Sequence, residues 1–132
     1  MIAFWIIFVW FVYVGVNIGL AEWNNLIRVE RIKAGNKKQI EHFWWGLFYG
    51  ALCAPMYWPG GVWFVGSVLL LHISVFPVFF NRASDLPAFH LSKTSTAITD
   101  RIMVWLGLTS TEWVNIGAFI LSIGLLIKTI YG

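Results

Sequence analysis

The residues best suited to moving a proton or holding a metal are three histidines and six carboxylates. His72 has the most unusual setting. It lies in LLLHISVFPVFFN, residues 69–81, a run that is otherwise almost wholly apolar. An ionisable residue in such a run is a candidate for proton or ion transfer or for ligand binding. Pro77 follows little more than a turn later and has no N–H, so the carbonyl of Ile73 loses its helical partner. A neutral His72 could donate to that carbonyl, making histidine and proline one local arrangement, or to a polar group on another helix. Asn17 and Asn115 are the amides able to share an intramembrane polar site with His72; the middles of the apolar segments hold no Asp or Glu. Ser67, Ser74 and Asn81 share a different face of the same segment, so His72 does not continue a polar stripe of the kind a water-filled pore requires. A haem held by two histidines of one chain is disfavoured, because His42 begins a different segment; only a His72 pair across a dimer would supply both.

His42, Asp85, His90 and Asp100 make a second constellation. Histidine with carboxylates can bind a divalent metal or serve as acid and base, and His42, His90 and Asp85 are the metal candidates. His42 is the best single one, since it aligns at helical spacing with Gly46, Tyr49, Gly50 and Cys53. Against this reading, all four residues fall near segment ends, where solvated polar side chains belong in any case. The sequence has no HExxH, no glycine-rich phosphate loop and no GxSxG elbow. No cofactor is expected, and the balance leans away from an enzyme.

The elements that must position these groups are apolar helices. Of 132 residues, 59% are hydrophobic and only 11% charged, where a soluble domain of this size carries about a quarter charged residues. Stretches of about 20 apolar residues are long enough to cross a hydrocarbon core. The expected fold is all-α: a single-domain four-helix transmembrane bundle with spans near 2–21, 39–57, 62–80 and 111–130. A short interfacial helix, about 97–107, precedes the last span. The first segment lacks a basic n-region and is too long for a signal peptide, so it reads as a helix of the mature protein. Its polar periodicity, Asn17, Ala21, Asn24, Arg28 and Arg31, carries the helix on to about Lys33, with Gly35 and Asn36 as stop residues. PMYWPGG, residues 55–61, reads as the turn between spans two and three, and Thr109 with Glu112 has capping-box spacing before span four.

Leucine gains little by leaving lipid for another leucine, so membrane helices associate through close backbone approach and a few hydrogen bonds. Gly15 and Gly19 on span one, Gly46, Gly50 and Ala54 on span two, and Asn115, Ala118 and Ser122 on span four are the expected packing faces, within the chain or in a homodimer. Cys53, the single cysteine, can form no internal disulfide and reads as a small packing residue.

Lys and Arg fix the expected orientation. Arg28, Arg31, Lys33, Lys37 and Lys38 lie in one loop and Arg82, Lys93 and Arg101 in the other. The positive-inside rule then places loops 22–42 and 81–110 in the cytoplasm and both chain ends outside, in a bacterial inner membrane. The net charge of +3 is explained by those loops and calls for no nucleic-acid partner. Most of the nine Trp fall at span ends, as an interfacial belt requires.

RIKAGNKKQIEHFWWGLFYGA, followed by HLSKTSTAITDRI, resembles small polytopic membrane proteins of bacteria and their phages. The resemblance implies a bacterial setting and no activity. The expected role is an accessory, assembly or interaction component without its own catalytic centre, partnered by the bilayer and by other membrane proteins or further copies of itself. Three alternatives stand beside it: a small transporter or channel using His72 and Asn17, a membrane-surface metal protein or enzyme built on the cytoplasmic His/Asp cluster, and a holin-like phage protein.

Overall fold

The computed structural model describes residues 2–35, 42–93 and 98–132, with the side chains of residues 31, 32, 42–47, 59 and 98 outside that description. Every regular element in it is helical: α1 (Ile2–Lys33), α2 (His42–Cys53), a 3₁₀ turn (Ala54–Met56), α3 (Tyr57–Ala83), α4 (Ile98–Trp105) and α5 (Glu112–Tyr131). Three stretches are long and apolar enough to cross a membrane: Ile2–Glu30, Gly60–Ala83 and Glu112–Tyr131. Helix α2 has 12 residues, about 18 Å at the α-helical rise, and falls short of that length by itself. Over the expected span 39–57 the described part is α2 followed by the 3₁₀ turn, with residues 39–41 outside it.

Chain directions follow from the side-chain bonds. Trp10 reaches Ser67, Asn17 reaches His72 and Asn25 reaches Ala83, at separations of 57, 55 and 58 residues. A nearly constant offset means that α1 and α3 run parallel. On α2 the order reverses: Tyr49 meets Asn17, whereas Leu52, further along, meets Tyr13. Helix α5 is antiparallel to α3, since Ser122 lies beside Ser67 and Lys128 lies over the Trp63 ring. Two parallel helices cannot be joined by a tight turn, so the chain between them must travel back along the bundle. Helix α2 makes that return.

The turn into α3 shows how local sequence sets the path. Trp58 precedes Pro59, whose ring excludes the α region for its neighbour, and Trp58 sits at φ −93°, ψ 120°. Gly61 follows at φ 70°, ψ −168°, a conformation essentially reserved for glycine. The helix proper thus starts close to the expected position 62. At Pro77 the backbone stays helical, the non-helical residues of α3 being Trp58 and Gly61. Helix α1 continues to Lys33 as its periodicity predicts, and Gly35 takes φ 77° just beyond it. Helix α4 is stopped by Gly107 at φ 77°, with Gly107 N–H on the Val104 carbonyl and Leu108 N–H on that of Met103. That pair of bonds is a Schellman cap. The expected Thr109–Glu112 capping box does not form. Helix α5 has Thr111 at its N-cap without a side-chain cap bond: Thr111 Oγ1 accepts from Asn115 Nδ2 instead, and Thr111 N–H donates to the Phe89 carbonyl at 3.0 Å, tying the helix start to the preceding loop.

The core gathers Ile6, Trp10, Tyr13 and Leu20 of α1, Tyr49 and Cys53 of α2, Phe64, Val68, Leu71 and Val75 of α3, and Leu126 of α5. The expectation that Gly15, Gly19 and Gly50 pack against other helices of the chain is corrected here. Gly15 and Gly19 are exposed, and a Cβ on either would meet nothing within 4 Å. Gly50 also faces open space, Ala54 is exposed, and the Gly46 position lies outside the described side chains. On α5 the expected face is the buried one: Asn115, Ala118 and Ser122, joined by Leu126. The close contact comes instead at Gly66, where a Cβ would stand 3.1 Å from Leu125.

Substituting Gly61→Ala should cost about 1–3 kcal/mol of stability, because alanine would be strained at that φ/ψ. Gly15→Ala and Gly19→Ala should be neutral in the single chain, or stabilising by up to about 1 kcal/mol, since each replaces a helical glycine in open space. Chemical unfolding in detergent micelles separates the two classes; equal midpoints for all three variants would contradict the backbone path described.

Candidate functional site

Two polar clusters hold the long helices together. The first joins α1, α3 and α5. Ser67 Oγ donates to the Ser122 carbonyl and Ser122 Oγ donates to the Ser67 carbonyl, each at 2.7 Å. The hydroxyl oxygens then accept the Trp10 indole N–H, at 3.1 Å from Ser67 and 3.2 Å from Ser122. Both serines are fully buried and Trp10 is 4% exposed. A serine hydroxyl supplies one donor and two lone pairs, so this reciprocal pair satisfies itself and leaves a site for one N–H from the third helix.

The second cluster centres on Asn17, which is also fully buried. Its Nδ2 donates to the Tyr13 carbonyl at 2.8 Å and to the Tyr49 hydroxyl at 3.0 Å. The Tyr49 hydroxyl donates onward to the Val68 carbonyl at 2.8 Å. Asn17 Oδ1 stands 2.8 Å from His72 Nδ1. These contacts fix the histidine tautomer. A carbonyl accepts only, so the Asn17 atom facing Tyr13 must be the amide nitrogen; the atom facing His72 is then the oxygen, and Nδ1 must carry the proton. The ring is held flat as well, stacked on Tyr49 at 4.1 Å and 26° and against Phe76 at 4.8 Å and 33°. Phe80 stacks in turn on Phe76 at 5.9 Å. Tyr13 donates its hydroxyl to the Leu52 carbonyl, where Pro55 and the 3₁₀ turn begin to break the helical ladder.

The structure thus brings His72 and Asn17 together, and it corrects the idea of a local histidine–proline unit: His72 Nδ1 is committed to α1, not to the carbonyl freed by Pro77. Asn115 stands apart, donating to Thr111 Oγ1 at 2.9 Å at the start of α5. With Ser74, Val78, Phe89, Ile116 and Phe119 it lines an apolar hollow of about 180 Å³ between α3, α5 and the loop before α4.

The cytoplasmic constellation fares differently. Asp85 and His90 are exposed in the loop after α3, and Asp100 lies on the first turn of α4. Asn81 organises that loop through its Nδ2, which donates to the carbonyls of Ala88 and His90, while Asp85 adopts φ 58°. Neither contact turns the acidic or imidazole groups toward one another. Among the described residues no three His, Cys, Asp or Glu side chains gather, and the His42 side chain lies outside them.

Sequence reasoning missed Trp10, Tyr13 and the pairing of Ser67 with Ser122; Tyr49 and Cys53, which it set on one face with His42, are both buried. The signal was present in α1: Trp10, Tyr13, Asn17, Leu20 or Ala21, and Asn24 recur at three- and four-residue steps, and all are buried.

No family model, curated protein or solved structure matches the chain.

Replacing Ser67 or Ser122 by alanine should each cost about 0.6–1.7 kcal/mol, the range for interhelical bonds in membrane proteins. The double variant should cost clearly less than the sum, because the two bonds are reciprocal. Asn17→Leu should cost more than either, since it strands the His72 N–H and removes the donor to Tyr49. Unfolding in micelles reads all four variants; strict additivity of the serine pair would refute the shared lock.

Proposed function

We propose that this chain is a small integral membrane protein whose helices α1, α2 with its 3₁₀ turn, α3 and α5 cross the bilayer as a four-helix bundle. In this reading both chain ends and the Trp58–Gly61 turn lie outside, and the Arg- and Lys-bearing loops lie in the cytoplasm of a bacterium. Helix α4 lies along the cytoplasmic interface, with Ile102, Trp105 and Leu106 exposed toward lipid beside Arg101. Its role is that of an accessory or assembly component of the membrane, without a catalytic centre of its own.

The observation that carries this reading is the use made of the mid-helix polar groups. Asn17, Tyr49, Ser67 and Ser122 spend their donors on neighbouring helices or carbonyls, and among the described residues no fully buried side-chain nitrogen or oxygen lacks a partner. A conduit needs polar atoms turned toward a shared path with bonds to spare. Here they are tied into interhelical locks, as a scaffold requires. The chain from His72 also ends at a backbone carbonyl and passes through an amide, which does not relay protons at neutral pH. The parallel course of α1 and α3 supports the fourth crossing, because both start at the same end of the bundle.

Single cysteines placed by Lys33→Cys, Leu86→Cys, Trp58→Cys and Tyr131→Cys in a Cys53→Ala background test the topology. Positions 58 and 131 should react with a membrane-impermeant maleimide from outside, and positions 33 and 86 only after lysis. Labelling of 33 and 58 from the same side would overturn the four-crossing arrangement. Purification in gentle detergent with mass spectrometry should find stoichiometric companions; ion flux in liposomes above a protein-free control would instead favour a channel.

A further inference from the structure

We propose that the hollow between α3, α5 and the loop before α4 is a lipid site. It seats the upper part of one acyl chain of a zwitterionic phospholipid from the cytoplasmic leaflet, whose headgroup carries a phosphate and a primary ammonium. The inference rests on the bilayer reading above but not on the accessory role.

The lining is apolar and held in place. From Ser67 to Ser74 and from Asn115 to Ser122 is seven residues in each case, so the hollow sits on the α3–α5 seam two turns from the serine lock. Its two polar residues commit their donors elsewhere: Ser74 Oγ to the Leu71 carbonyl and Asn115 Nδ2 to Thr111 Oγ1, each at 2.9 Å. The rest of the wall is Val78, Phe89, Ile116 and Phe119. Phe89 is fixed through its backbone, since Asn81 takes the carbonyls of Ala88 and His90 and Thr111 N–H takes that of Phe89 itself. Phe119 packs on Trp10, ring centres 5.9 Å apart. The volume is about 180 Å³. An apolar cavity of about 150 Å³ stays dry and takes up benzene, so hydrocarbon suits this one and water does not.

Access and depth point to an acyl chain. Ile116 and Phe119 on its rim are 39% and 38% exposed, on a face that meets lipid in the bilayer reading. Ser74 lies nine residues from the end of α3, about 14 Å at the helical rise, and Asn115 lies three residues into α5. The hollow thus spans the upper acyl region, directly beneath the headgroups. Charge selects the headgroup. Arg82, in the last turn of α3, continues the stripe Ser74–Val78 at four-residue spacing. Glu112, in the first turn of α5, precedes Asn115 and Ile116 by three and four residues. Both are exposed. Across residues 81–112 the signs balance, Arg82, Lys93 and Arg101 against Asp85, Asp100 and Glu112. An anionic headgroup would be attracted by Arg82 and repelled by Glu112. A zwitterion satisfies both, because a guanidinium matches a phosphate and a carboxylate accepts from a primary ammonium. A quaternary ammonium has no N–H to donate.

The test is native mass spectrometry of the delipidated full chain in detergent, titrated with phosphatidylethanolamine, phosphatidylglycerol and phosphatidylcholine. One phosphatidylethanolamine per chain should be retained, about threefold more tightly than either other lipid. Val78→Phe fills the hollow and should weaken retention about tenfold with unchanged helical circular dichroism. Arg82→Gln should remove the preference among headgroups. Leu121→Phe, at an exposed position of α5 outside the lining, should change nothing. Should Val78→Phe fail to fold, phosphatidylethanolamine with a diazirine on its acyl chain decides on the wild type: crosslinks should concentrate on Val78, Phe89, Ile116 and Phe119. Crosslinks spread evenly over exposed residues such as Phe8 and Leu121, equal retention by a folded Val78→Phe, or equal or tighter binding of either other lipid overturns the proposal. Failure of the bilayer topology shows in the cysteine labelling instead, so the two failures are distinguishable.

Discussion

A polar atom inside hydrocarbon has no water to turn to, and in the bilayer reading proposed above this molecule is arranged around that constraint. The apolar side chains are nearly indifferent to whether they touch lipid or one another, which is why so many, from Phe4 to Ile127, can remain exposed. What distinguishes one arrangement of the helices from another is whether Asn17, Tyr49, Ser67 and Ser122 find partners. Sliding α5 by one turn relative to α3 would leave two serines facing apolar side chains and take one of its two acceptors from the Trp10 indole. Each bond contributes only about 1 kcal/mol, but losing register breaks several together. Polar groups therefore specify the bundle more than they stabilise it.

The same constraint shapes the connections. Since α1 and α3 run side by side in one direction, the segment between them has to return, and in the four-crossing arrangement proposed above a return path cannot expose backbone to lipid. Helix α2 solves this with few residues, followed by a 3₁₀ turn at Pro55 that shortens the remaining distance. Its shortness is compensated by Tyr49, which reaches α1 through Asn17 and α3 through the Val68 carbonyl. Tyr13 captures the Leu52 carbonyl just where the α-helical ladder gives way. The two tyrosines thus attach the least regular part of the bundle to its most regular part.

Much of this was legible in the sequence because it depends on local periodicity. The extent of α1, the start of α3 and the buried stripe Asn115–Ala118–Ser122 follow from spacing alone. As a guide to packing within the chain, the glycine motif misled for a definite reason. GxxxG spacing says that two small residues share a helix face; it does not say which face turns inward. Trp10, Tyr13, Asn17 and Asn24 mark the inner face of α1, and Gly15 and Gly19 lie off it. The pairing of Ser67 with Ser122 was not legible, since it depends on the register between helices 55 residues apart. Nor was the exception to the aromatic belt, Trp10, whose indole is consumed by those serines while Trp58, Trp105 and Trp113 are exposed. The expected cluster rests on residues where spacing carries no information: Asp85 and His90 lie in a loop organised by Asn81 and by the Phe89–Thr111 bond, Asp100 lies on the first turn of α4, and the His42 side chain is outside the described residues.

The direction of the central network separates holding a proton from moving one. Each donor from His72 onward points the same way: imidazole to amide oxygen, amide nitrogen to phenol, phenol to the Val68 carbonyl. For a proton to travel along it, the amide would have to pass through its imidic form and the terminal carbonyl would have to release what it accepted. Both steps are closed at neutral pH. A chain so terminated holds one tautomer instead of alternating between two. Its physical effect is to leave a single lone pair, on Nε2, at a defined place and angle near the middle of the longest apolar stretch of α3. Depth, stacking and tautomer are each ordinary alone; together they make His72 a positioned acceptor, and the remaining polar groups of the bundle are what keep it so.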